Sequence, residues 1–95
     1  MDFEYDFKKS EINLKKHGIV LEEAKGLWLV PSVELQAKTV DEERFMIIGK
    51  LKEEFYSCVY AKREEKIRLI SARRSSRKEE EIYYETFQKR QTQSE

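Results

Sequence analysis

The sequence predicts an α+β domain in which a helical hairpin and a C-terminal helix pack on an antiparallel sheet of about four strands, with one further short strand at the N-terminus. Three observations lead there. Apolar positions recur at helical spacing between Asp6 and Pro31, with a capping residue before the first helix and a glycine after it. At Val33 the period changes from 3.6 to 2, and three more strand-like segments follow with short charged breaks between them. After Ser76 the helical period returns.

Phe3 and Tyr5 alternate with Asp2, Glu4 and Asp6, the pattern of a short first strand. Asp6 then caps a helix from Phe7 to His17, which Gly18 ends in the left-handed conformation. A second helix, Leu21 to Leu29, presents Leu21, Ala24 and Leu27 or Trp28 on one side, and Pro31 forbids its continuation. The two helices are expected to pair as a hairpin. Val33, Leu35 and Ala37 alternate with Glu34, Gln36 and Lys38, and a charged turn follows at Asp41 to Glu43. Arg44 to Leu51, Phe55 to Arg63 and Lys66 to Ala72 are rich in Ile, Val, Phe and Tyr and read as an antiparallel meander. The turn at Glu64 and Glu65 lacks the Asn or Gly that a tight hairpin prefers, so it does not fix the register. Ser76 and Glu79 form a capping box, and Ile82, Tyr83, Tyr84 and Phe87 give the last helix its apolar stripe. Residues 91–95 are polar and expected to fray, leaving residues 1–90 as a single domain without repeats or linkers.

With 95 residues, 39% apolar and 40% charged, the chain can build one compact core under a densely charged surface. The apolar run Leu27 to Val30 is far below the roughly 20 residues a membrane helix needs, and Met1-Asp2-Phe3-Glu4 is acidic where a signal peptide is basic. A cytoplasmic location is expected. Cys58 stands alone, so no internal disulfide forms, and His17 is the only histidine, so no zinc or transition-metal ligand set is expected and no metal cofactor is predicted. Net charge is zero, yet residues 1–43 carry 6 basic and 10 acidic side chains and residues 44–95 carry 13 and 9. Between Lys62 and Lys78 eight Lys or Arg stand against two Glu, a local excess able to hold phosphates.

The densest part of that excess, Arg68 to Glu79, brings Arg68, Arg73, Arg74 and Arg77 together with the Ser75 and Ser76 hydroxyls and the amides of a helix start. Each of those groups favours phosphate. On a regular strand Arg68 and Arg73 point to opposite faces, so they meet only if the strand twists or ends between them. A solvated charged edge with ordinary helix capping is the competing reading. His17, at the end of the first helix, reads either as a cation held by the helix dipole or as a general base. The pairs Glu22-Glu23, Glu53-Glu54 and Glu64-Glu65 read as solvated charge. Tyr56, Tyr60 and Lys62 share one face of a strand, where they serve either as core or as a row that stacks bases and holds the nucleic-acid backbone.

Taken in order, Phe3-Glu-Tyr-Asp6, Asn13-Leu-Lys-Lys-His17-Gly18-Ile, Glu22-Glu-Ala24, Glu43-Arg44-Phe, Ile48-Gly49 and Ile67-Arg68-Leu-Ile-Ser-Ala-Arg73 resemble the BrnT family of toxins, from Phe3 to about Tyr84. The resemblance implies a RelE-like fold and a ribonuclease toxin of a type II toxin-antitoxin pair. It implies a partner too, an antitoxin with a ribbon-helix-helix domain through which the complex reaches operator DNA. Arg63, Arg68 and Arg73 match family positions, and RNA is expected there. In this reading cleavage is metal-independent and the ribose 2′-hydroxyl attacks its own phosphate. Arg68 and Arg73 neutralise the developing charge, Arg63 and Lys62 position the backbone, and Arg44, Tyr60, Arg74 and Arg77 make further RNA contacts. His17, a Tyr or a Glu moves the proton. The chain departs from the family at Val20, where a capping Ser or Thr is usual, at Leu21, where Phe is common, and in the Glu64-Glu65 turn. The alternative is a module that binds nucleic acid or protein and catalyses nothing. The nuclease expectation assumes that the arginines between the fourth meander strand and the last helix converge, face outward and are unpaired.

Overall fold

The computed structural model describes residues 1–37 and 42–93. Its first elements are a strand, β1 (Asp2–Glu4), and a helix, α1 (Phe7–His17). The Asp6 carboxylate accepts the amides of Lys8 and Lys9 at 2.8 and 3.3 Å, which satisfies two of the free donors of the first turn. At the other end Gly18 sits at φ 74° and donates its amide to the Leu14 carbonyl at 2.8 Å. Both ends of α1 therefore fall where the sequence places them.

The second helix does not. An α-helical turn, α2 (Leu21–Ala24), passes into a 3-10 segment, Lys25–Leu29. Leu21, Ala24 and Leu27 are all fully buried, and their spacing of three, which an α-helix tolerates, is the repeat of a 3-10 helix. Gly26 adds little helix propensity and packs so closely on Leu51 that a Cβ would lie 3.1 Å from its side chain. Val20 offers no side-chain cap; the Ser10 hydroxyl of α1 accepts the Leu21 amide instead, at 2.9 Å, and pins the two helices together.

Four strands follow, β2 (Ser32–Ala37), β3 (Arg44–Leu51), β4 (Glu54–Arg63) and β5 (Lys66–Arg74), and then α3 (Arg77–Gln93). The sheet order is β1-β5-β4-β3-β2. The last four form the antiparallel meander, while β1 returns parallel to β5, with Asp2, Phe3 and Glu4 opposite Lys66, Ile67 and Arg68. Part of the turn expected at Asp41 to Glu43 lies outside the described residues. The β3–β4 turn places Lys52 and Glu53 at φ 49° and 72°, and the β4–β5 turn places Glu64 at φ 55°. Those are conformations that glycine or asparagine fills at lower cost.

One face of the sheet carries the core. Ile47, Cys58 and Ala72 lie opposite one another, as do Tyr60 and Leu69, beneath Ile19, Leu21, Ala24 and Leu27. Each fully buried Leu or Ile there contributes about 2 kcal/mol. Burial pushes the Cys58 thiol up to about 12, which leaves it inert at neutral pH. Helix α1 runs beside β5, where Asn13 stands in for a neighbouring strand. Its side-chain N–H donates to the Ala72 carbonyl at 2.8 Å, its carbonyl accepts the Ala72 amide at 3.0 Å, and it also donates to Ile19. Asn13 is buried, so its loss would orphan both backbone groups, at about 2 kcal/mol.

Helix α3 crosses the other face at one end only. Phe55 packs edge-on to Tyr83 and Tyr84, with ring centroids 4.9 and 5.5 Å away. Tyr83 donates to the Pro31 carbonyl, and Arg90 to that of Ser32. The opposite end of this face has no helix over it among the described residues. No described helix is long and apolar enough to cross a membrane.

Candidate functional site

The uncovered end of the sheet is built in rows by the strand register. Val33, Ile48, Ser57 and Arg73 form a row at the margin of α3. The next is Leu35, Met46, Val59 and Ser71, all half-buried. Beyond it lie Ala37, Arg44, Ala61, Arg68 and Glu4, and finally Arg63, Lys66 and Asp2. An apolar floor thus carries cations on both sides.

Arg68 and Arg73 share this face because β5 carries one extra residue. Val59 pairs with Ser71 and Tyr60 with Leu69, which leaves Ile70 without a partner on β4. That bulge reverses the alternation between Arg68 and Arg73, so five residues of separation bring both to one side. The strand runs to Arg74 rather than stopping at Ala72, so the faces of Arg73 and Arg74 are set by the sheet and not by a loop.

The arginines are not all unpaired, which corrects one expectation. Arg73 makes a two-pronged bridge to Glu79, at 2.8 and 2.7 Å. Glu79 also accepts the Ser76 amide and the Ser57 hydroxyl, and Ser76 accepts the Glu79 amide in return, completing the capping box. Glu79 is thus a hub that fastens α3 to β4 and β5. Chiefly the Arg73 guanidinium, with the Ser76 and Ser57 donors behind it, holds its carboxyl down at about 2. Arg68 bridges Glu4 at 2.9 Å, and Arg63 touches Glu42 at 3.4 Å across an exposed gap. The Arg44 side chain is exposed and makes no hydrogen bond or ion pair among the described residues.

The remaining predicted residues are dispersed. Tyr60 is fully buried, edge-on to Trp28 at 5.0 Å and stacked on Phe45 at 5.6 Å, and its hydroxyl donates to Glu34. Burial and that carboxylate raise its pKa, so it is a core residue whose ring is not offered to a base. Lys62 and Arg74 lie on the Tyr60 face, away from the open rows: Lys62 sits 4.8 Å over the Phe45 ring, and Arg74 pairs with Glu54 over Tyr56. Arg77 is the exposed first residue of α3. His17 ends α1 in a cleft of about 180 Å³ against Ile70 and Ser71. Of the predicted set, then, Arg44, Arg63, Arg68 and Arg73 share a face.

Sequence reasoning missed Glu4, Asn13 and the structural use of Glu79. Glu4 gave no local signal, because its partner is 64 residues away. The odd spacing of Arg68 and Arg73 was the one available sign of the bulge. Among the described residues no three His, Cys, Asp or Glu side chains converge as a metal site would require.

Comparison with known proteins bears on what such a surface does. The family model described as the ribonuclease toxin, BrnT, of a type II toxin-antitoxin system matches residues 5–79. A search of curated proteins finds no match.

Proposed function

The chain belongs to the BrnT family of type II toxin-antitoxin ribonuclease toxins, and from that premise we propose that the open rows of its sheet bind and cleave RNA. The observation that carries this reading is Arg44: an unpaired, exposed guanidinium in register with Arg68 across Ala61, beside a half-buried apolar row. Two strand spacings separate Arg44 from Arg68, about 10 Å at the backbone, so two long side chains can close on one phosphate.

The reaction is endonucleolytic and metal-independent. The 2′-oxygen forms a bond to the adjacent phosphorus, the bond from phosphorus to the 5′-oxygen breaks, and the products are a 2′,3′-cyclic phosphate and a 5′-hydroxyl. Arg44 and Arg68 neutralise the phosphorane oxygens and Arg63 holds the next phosphate. Glu4 stands in the same row as Arg68 and accepts the 2′-proton, while a water molecule protonates the leaving 5′-oxygen and the resulting hydroxide takes the proton back from Glu4. Arg73 supports the site indirectly, by fixing α3 at its margin. The antitoxin partner is a ribbon-helix-helix protein in this reading, which rests on the family likeness, and it covers the same rows.

One observation favours the rival, a binding module without catalysis: Arg68 and Arg73 already satisfy carboxylates of their own chain. Incubation of the purified protein with RNA and excess chelator separates the two. Wild-type protein is expected to leave cyclic-phosphate ends, and Arg44→Ala to lose on the order of 10²-fold in rate with its melting temperature unchanged. Folded wild-type protein that binds RNA and leaves it intact establishes the module.

A further inference from the structure

A second cationic surface borders the first. Lys9, Lys16 and His17 lie along one side of α1, at the spacing that aligns residues on a helix, and face Ile70 and Ser71 of β5 across the 180 Å³ cleft. Ser71 belongs to both surfaces: it lines this cleft, and it ends the half-buried row that runs from Leu35 through Met46 and Val59. No carboxylate lines the cleft. The one carboxylate on α1, Glu11, is exposed and does not line the cleft, and Asp6 at the start of the helix is occupied by the Lys8 and Lys9 amides. Neither lysine side chain has an ion-pair partner among the described residues.

We infer that the cleft between α1 and the β5 bulge is a phosphate subsite that holds the RNA backbone beyond the cleavage point, so that a bound strand crosses the sheet and leaves over the edge of β5. The bulge shapes the passage, because the residue it inserts, Ile70, forms the cleft wall. Lys9 and Lys16 provide two charges about 10 Å apart along the helix, one on either side of a backbone segment. Asn13 keeps the edge closed behind them by occupying the Ala72 backbone. This inference rests on the open rows being the RNA site, and it assigns His17 to backbone contact rather than to proton transfer.

The test compares a 12-nucleotide single-stranded RNA with a trinucleotide, both measured by fluorescence anisotropy against wild type, the double variant Lys9→Gln/Lys16→Gln, and Arg44→Ala. Both lysines are exposed, and unchanged thermal melts establish that the double variant is folded. The double variant is expected to bind the long RNA about tenfold more weakly and to reduce the salt slope by about 1.4, the loss of two phosphate contacts on a single strand. Its trinucleotide affinity stays at the wild-type level, whereas Arg44→Ala weakens both ligands. If the double variant binds the long RNA as wild type does while Arg44→Ala remains impaired, the subsite is overturned and the open rows stand. If Arg44→Ala binds both ligands as wild type does, the reading of the open rows fails and takes the subsite with it.

Discussion

Glu79 joins four donors from three residues, Ser57, Arg73 and Ser76, so its removal reaches beyond one contact. Glu79→Gln leaves the Arg73 guanidinium without a countercharge and is expected to cost about 2 kcal/mol, less than a fully buried pair because Arg73 is 39% exposed and screened by solvent. The pH dependence follows from the depressed carboxyl. Its folded value of about 2 lies below the unfolded value near 4.3, so the stabilisation is complete above about pH 5 and is lost as pH falls toward 2. Melts of wild type and Glu79→Gln should therefore differ fully at pH 6 and converge toward pH 2. A constant gap across that range would show that the charge on Glu79 is not what anchors α3. Tyr60 teaches the complementary lesson. Its alternation with Tyr56 and Lys62 was legible, but alternation fixes only which residues share a face and says nothing of what covers it, and Trp28 and Phe45 cover this one.

At the scale of elements, local chemistry was enough where it was complete. Asp6 and Gly18 bound α1, and Ser76 with Glu79 start α3, because caps act within a few residues. The 3-10 segment was hidden because residues spaced by three suit either helix until packing on Leu51 chooses. The shared face of Arg68 and Arg73 was hidden because a bulge depends on the partner strand. The β3–β4 hairpin shows an element at odds with its sequence, with Lys52 and Glu53 both at positive φ. Glu53→Gly relieves one such strain and is expected to raise stability by about 1 kcal/mol in chemical denaturation, with RNA cleavage unaffected since the turn lies at the α3 end of the sheet. A lower stability would mean that the Glu53 side chain supplies a contact outweighing the strain.

For the whole molecule, zero net charge means that attraction for a polyanion is local and not a long-range field. Binding should depend on salt through a handful of contacts: Arg44, Arg63 and Arg68 on the sheet, with Lys9 and Lys16 on α1, give a slope of log K against log salt of about −2 to −3.5 for single-stranded RNA. A titration slope near zero would remove the phosphate contacts from the account. The architecture also orders events in time. Because β1 is the first strand made and its only neighbour is β5, the row of Glu4, Arg68 and Arg44 cannot close until the meander between them has been synthesised. A ribosome making this protein therefore releases α1, α2 and the β2–β3 and β3–β4 hairpins before this row can close, and a nascent chain interrupted short of Lys66 is expected to leave intact the RNA from which it is being read.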